Sequence, residues 1–497
     1  MKFDKNIISL FFICLATSLF TIDMGIISLS LDEIETYFST TRSITVWIIT
    51  IFSISSAIGI ISLGFLSQIF GRKKIYLYGI LGFTIFSGLC GLSNSFETLL
   101  LFRGLQGFFG SGLVALSQAF VVDSFSLEKR SKAISAWTFG LLAGPVIGPL
   151  LGGFIIDNFS WRWVFFINLP LGLLAFFGLI AFLEDNMSRR KSKINYTGFI
   201  FLSISAGALQ IFLDRGELED WFDSNYITFL LILSIFTSLL FVYNSLTSKN
   251  PLFPLQLFKD RFYTGGMFFA FLFGFILIPP FILMPIFLTQ IQDFPIYLVG
   301  LILCISGIGG MLGTFFTSKI ISHLGNVKTM LFGLSIYIVS NLEVTFWTED
   351  ISTTQIVLNM IYRGISISIY YVALANITYT TLPDKYRTHG AGLFQFFRTL
   401  GTGAAVAIFI TILNRYQLYY FEEFRNLTSY SNFNIITKLN MEDYSYQNFI
   451  SLYLEMSKQA KIKSFNTDFL FLSISPLLFF PFFYFFKKKK NLIVNFK

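Results

Sequence analysis

The stretch Gly140–Phe154, GLLAGPVIGPLLGGF, decides how the chain is read. Gly140, Gly144, Gly148 and Gly152 recur every four residues, with Pro145 and Pro149 between them and Gly153 following. Both residue types weaken a helix in water, glycine through backbone entropy and proline by removing a donor. The segment is otherwise apolar, however, and a chain crossing hydrocarbon must satisfy its own backbone hydrogen bonds, as a helix does. Four residues turn a helix by about 400°, so each glycine sits about 40° from the last. The set makes one winding face without side chains, on which another membrane helix can approach closely. Each proline frees a carbonyl one turn earlier and can bend the helix. The stretch reads as a membrane helix built for close packing.

The rest of the chain supplies the other helices. Of 497 residues, 54% are hydrophobic and 13% charged, about half the charge of a soluble protein. Apolar runs of about 20 residues, enough to span a bilayer as helix, recur along nearly the whole length. Barrel strands would alternate over about ten positions, and no such alternation is seen. The fold class is all-α polytopic membrane protein. Cys14, Cys90 and Cys304 lie far apart within apolar segments and suggest neither a disulfide framework nor a metal site. With only His323 and His389 besides, no metal and no cofactor is expected. No nucleotide loop or nucleophile constellation supports an enzyme.

Spans are expected at 7–29, 44–68, 74–94, 98–121, 131–156, 162–183, 196–213, 226–246, 264–289, 297–320, 327–347, 353–379, 389–413 and 467–486, about fourteen in all. The first follows a basic start, but its apolar run is too long for a cleaved signal. With the N-terminus inside, 24 of the 36 lysines and arginines fall in cytoplasmic segments, against three in short outside loops. That alternation requires an even span count and puts both termini in the cytoplasm. Lys487 to Lys490 should be cytoplasmic and the long loop 414–466 outside. The net charge of +8 is thus a topology signal and does not point to nucleic acid. The organisation expected is a six-helix bundle over 1–190, two additional helices and linkers over 191–260, and a second six-helix bundle over 261–497. The halves are faintly alike: LFRGLQG opens the fourth span and IYRGISI the twelfth, and SQIFGRKK and ISHLGNVK follow the second and tenth. Two parallel bundles around a central site is a transporter architecture.

Five motifs stand in order on these spans. TIDMGIISLSL puts Asp23 in the first, about 9 Å down at about 1.5 Å per residue. GFLSQIFGRKK, with Gly64, Leu66, Gln68, Gly71, Arg72 and Lys73, forms the turn after the second. LFRGLQGFFGSG puts Arg103 and Gln106 in the fourth, the glycine stretch occupies the fifth, and WRWVFFINLPLG opens the sixth. Together they resemble the major facilitator superfamily, specifically the fourteen-span drug:proton antiporters of the EmrB/QacA type. The resemblance implies the major facilitator fold, two six-helix bundles plus two extra linker helices, and no enzymatic activity. It implies export of amphipathic or lipophilic compounds by alternating access, driven by the proton gradient, from a bacterial plasma (inner) membrane. In a Gram-negative cell a periplasmic adaptor protein and an outer-membrane channel are expected partners, besides the small-molecule substrate and the lipid bilayer. Gly64, Leu66, Gln68, Gly71, Arg72 and Lys73 match its cytoplasmic gate motif, with Gln68 where the family usually has an acid. That departure implies a looser gate. Gly140, Gly144, Pro145, Gly148, Pro149, Gly152 and Gly153 match its antiporter motif, implying a fifth helix that packs against the opposite bundle and rocks.

A charge within the membrane is costly unless paired, so each one is a functional candidate. In the superfamily fold the first and fourth helices border one cavity, so Asp23 and Arg103 are the expected proton-coupling pair; a static structural pair is the alternative. Arg363, Arg398, Gln106, Gln118 and Gln290 are candidates for lining the cavity or binding substrate. Three intramembrane arginines against one clear acid leave open a dedicated exporter of an endogenous anionic or zwitterionic metabolite, such as a siderophore. A non-transporting membrane receptor is the remaining alternative.

Overall fold

The computed structural model describes residues 5–27, 30–184, 195–253, 255–382, 387–427 and 446–486. The described residues contain helices and no strands. Thirteen helices are long and apolar enough to cross a membrane. The glycine stretch adds one more, a continuous helix Leu127–Asn158 despite its two prolines. In chain order the fourteen are Lys5–Ile27, Trp47–Phe70, Arg72–Gly91, Phe96–Ser124, Leu127–Asn158, Trp163–Phe182, Tyr196–Arg215, Asn225–Thr247, Arg261–Gln290, Ile296–Leu324, Asn326–Val344, Thr353–Thr380, Arg387–Leu427 and Tyr446–Ile474. They are the first to fourteenth helices below.

Local sequence explains their interruptions. The fourth helix breaks at Ser111, flanked by Gly110 and Gly112, and the ninth at Ile278, before Pro279 and Pro280. The fourteenth tightens into a 3-10 segment, Ser475–Phe486, that contains Pro476 and Pro481. Each break falls where glycine or proline weakens the backbone ladder. The expected loop 414–466 is helical at both ends, because the thirteenth helix runs on to Leu427 and the fourteenth begins at Tyr446. Lys487 to Lys490 lie outside the described residues.

The first helix packs along the fifth and sixth, and the second and third along the fourth. In the second half the tenth and eleventh pack on the twelfth, and the thirteenth lies between the ninth and fourteenth. The seventh and eighth pair with each other through Ser205, whose hydroxyl lies 2.5 Å from that of Ser238. The seventh docks this pair against the second and thirteenth, and the eighth keeps few of its side chains buried. The halves are copies at one telling point. Gly71 (φ 91°) and Gly325 (φ 76°) both end one helix and begin the next. That backbone shape is open to glycine and strained for other residues. Aligned SQIFGRKK and ISHLGNVK thus form the same turn.

Candidate functional site

Asp23 lies on the inner face of the first helix, 1% exposed. Three neighbours from two helices donate to its carboxylate. Arg103 Nη1 reaches Oδ2 at 2.7 Å, while Gln106 Nε2 and Asn168 Nδ2 reach Oδ1 at 3.0 and 2.9 Å. Arg103 and Gln106 come from one turn of the fourth helix, and Arg103 Nη1 also donates to Gln106 Oε1 at 2.6 Å. The Asn168 amide donates a second bond to Ser87 Oγ, whose hydroxyl donates in turn to the Phe165 carbonyl. Phe52 and Phe165 face the guanidinium, with ring centres 4.3 and 5.4 Å from Cζ. The carboxylate is thus buried and held by one cation and two neutral amides. Asn168 belongs to the WRWVFFINLPLG motif, but that motif signalled only family likeness and gave no sign of this contact.

The glycine stripe explains how Asp23 reaches that position. A Cβ on Gly140 would stand 2.8 Å from the Cys14 carbonyl oxygen, and one on Gly148 3.0 Å from Gly25 Cα. One on Gly144 would overlap the Thr21 carbonyl. All three contacts are with the first helix. The stripe therefore packs inside its own bundle, contrary to the expectation that it meets the opposite one. Ser18 Oγ donates to the Gly140 carbonyl at 3.1 Å and strengthens the seam. The opposite bundle meets a different part of the fifth helix, where Gly300 lies against Leu150. Gly152 is buried and Gly153 half-buried. The side chains of Pro145 and Pro149 lie outside the described residues.

The gate motif also joins the halves. Gly64 admits His389 of the thirteenth helix, whose Nδ1 would be 2.6 Å from a Cβ there. Arg72 forms an ion pair with Asp123 at the end of the fourth helix and stacks 5.0 Å from Phe120. Asp123 thereby ties the end of the fourth helix to the motif's turn. Lys73 Nζ donates to the carbonyls of Ile180 and Leu183 at 2.9 and 2.6 Å, closing the end of the sixth helix. Leu66 is half-buried, and the Gln68 side chain lies outside the described residues.

A second polar cluster sits between the bundles. Gln118 Nε2 donates to the Tyr371 hydroxyl at 3.1 Å, linking the fourth and twelfth helices. Trp137 of the fifth places its ring 6.0 Å from that of Tyr371, tilted by 31°, and shares its indole N–H between Thr17 and Ser117, at 2.9 and 2.8 Å. Thr17 stands on the same helix as Asp23, six residues before it. Arg398 is buried near Tyr371, and its Nε donates to Gln395 Oε1 at 2.9 Å. Arg363 is buried in the second bundle under the Phe469 ring. Gln290 is exposed at the end of the ninth helix, so it does not line this cluster. Tyr371, Trp137 and His389 escaped the sequence reading, since an aromatic or a lone histidine in a span reads first as packing. Asp468 escaped for another reason: the span was expected to start at 467, which put this acid at its edge.

The comparisons agree with this architecture. The profile described as Major Facilitator Superfamily matches residues 13–406. The chain is 29% identical over 412 residues to the probable multidrug resistance protein EmrY of Escherichia coli (strain K12), covering 81% of this chain and 79% of that protein. It is 29% identical over 402 residues to the multidrug export protein EmrB of Haemophilus influenzae, covering 79% and 78%. Among solved structures, a bacterial homolog of the human lysosomal transporter Spinster, inward-facing and unoccupied, superposes with a TM-score of 0.59 at 15% identity, over 99% of this chain and 100% of that one. With helices, internal repeat and profile in agreement over most of its length, the chain belongs to the major facilitator superfamily and is a membrane transporter.

Proposed function

We propose that this protein is a proton-coupled antiporter that exports amphipathic or lipophilic compounds by alternating access between its two bundles. Asp23 carries the reading. It is a buried carboxylate held by a cation and two amides, so gaining a proton would weaken its bond to Arg103 and free the first helix to shift. The multidrug relatives support the substrate class. The bilayer is a plasma membrane, and both termini face the cytoplasm. The test is dye efflux from vesicles under an imposed pH gradient, using cationic and anionic fluorescent amphiphiles. Asp23→Asn should insert normally and lose gradient-driven efflux of every dye; efflux at the wild-type rate refutes the assignment. A second reading, export of one endogenous anionic metabolite, is favoured by Arg398, a buried cation with a neutral amide as its hydrogen-bond partner. A deletion strain with unchanged susceptibility to a broad compound panel would select it.

A further inference from the structure

The second bundle contains another buried acid and another buried base, and neither serves the Asp23 site. Asp468 is 0% exposed on the fourteenth helix, and neither carboxyl oxygen has a hydrogen-bond partner among the described residues. Arg363 on the twelfth is 2% exposed, and Nε, Nη1 and Nη2 are likewise without partners. The two belong to one neighbourhood: Phe469, the residue after Asp468, lays its ring 5.3 Å from Arg363 Cζ. Arg363 is also the repeat counterpart of Arg103, through IYRGISI and LFRGLQG.

Charge decides what Asp468 is in this conformation. An ionised carboxylate without donors in a low-dielectric interior is far less stable than the neutral acid, and such groups neutralise. Arginine cannot follow suit, since its guanidinium stays protonated in proteins. The other charged and titratable groups around this stretch are Tyr337 and Glu343 on the eleventh helix, which interact with Arg363, Tyr416 and Tyr420 on the thirteenth, and Lys463 on the fourteenth itself. The ninth helix contributes Phe287, against Phe465. None of them forms a hydrogen bond or ion pair with Asp468 among the described residues.

We propose that Asp468 is a second proton-binding group of this transporter, protonated in this conformation and paired with Arg363 once the proton has left to water. Residues 468 and 469 lie about 100° apart around the helix. A partial rotation of the fourteenth helix, with a change of rotamer, would replace the Phe469 ring by the Asp468 carboxylate at the guanidinium. The second bundle would thereby hold a switchable version of the ion pair that the first bundle holds closed. This adds a proton to the cycle proposed above, and its test does not depend on that cycle.

The test is infrared absorption of the full-length protein in lipid vesicles, which separates protonated carboxyl from carboxylate without any substrate. Wild type should show a protonated-carboxyl band at neutral pH that Asp468→Asn removes, Asp23→Asn leaves and Asp468→Glu retains. In Arg363→Gln the band should persist to a pH about one unit more alkaline or beyond, because the departing proton no longer leaves its carboxylate a cation. The proposal is overturned if the band is missing from wild type, if it survives unchanged in Asp468→Asn, or if Arg363→Gln titrates like wild type. Failure of the Asp23 reading would appear in dye efflux and leave this spectrum unchanged.

Discussion

Asn168 tests at the residue scale how the Asp23 carboxylate is held. It bridges Oδ1 to Ser87 and so ties the third and sixth helices to the first. Asn168→Ala should leave one acceptor position of a buried carboxylate unfilled, at a cost of about 1–3 kcal/mol. Arg103→Ala removes the cation as well, and breaking a buried pair costs about 3–5 kcal/mol. The expected order of thermal stability in detergent is therefore wild type, then Asn168→Ala, then Arg103→Ala, measured by a thiol-independent unfolding assay. Equal stability of the two variants would show that the cation holds Asp23 no more strongly than the amide does. At this scale much was legible beforehand. Asp23 and Arg103 stand out because charge inside an apolar run is costly and local sequence displays it directly, while Gln106 came with the family motif. Asn168 was not, because a neutral amide in a span has many possible partners and sequence does not rank them.

Helix packing is where the glycine stripe acts. Its contacts with Cys14, Thr21 and Gly25 draw the first helix against the fifth, backbone to backbone. Gly144→Val would drive its side chain into the Thr21 carbonyl two residues from Asp23, and overpacking of this kind costs about 1–3 kcal/mol or more. Gly144→Val should therefore lower stability and displace Asp23 from Arg103, so that efflux falls even in protein that inserts. Indistinguishable efflux in wild type and Gly144→Val would show that the close approach is dispensable. The helix and its bare face followed from a four-residue period. The partner did not, because the period describes one helix and says nothing of which neighbour lies across from it.

Across the whole molecule, the halves touch at Gly64 with His389 and at Gly300 with Leu150, contacts near opposite membrane faces under the proposed topology. A Cβ on Gly300 would lie 3.7 Å from Leu150 Cβ, within the roughly 3.5–4.5 Å separation that a disulfide spans. Leu150→Cys with Gly300→Cys, in a chain with Cys14, Cys90 and Cys304 replaced by alanine, should crosslink under mild oxidation. If the bundles part there during transport, oxidation should stop efflux and reductant restore it. Crosslinked protein that transports at the uncrosslinked rate would rule out opening at this seam.

The sequence by itself determined the membrane class, the fourteen helices, the internal repeat, and Asp23 and Arg103 as charges within spans. Each rests on a local quantity: length of apolar run, spacing along one helix, or the cost of a charge in hydrocarbon. Only the tertiary structure decided that the glycine face meets the first helix, that Asp123 pairs with Arg72, that His389 fills the space left by Gly64, and that Asp468 is buried without a hydrogen-bond partner among the described residues. Those facts depend on the depth and facing of helices far apart in sequence, and a helix buried on several sides gives little signal of which side meets which neighbour.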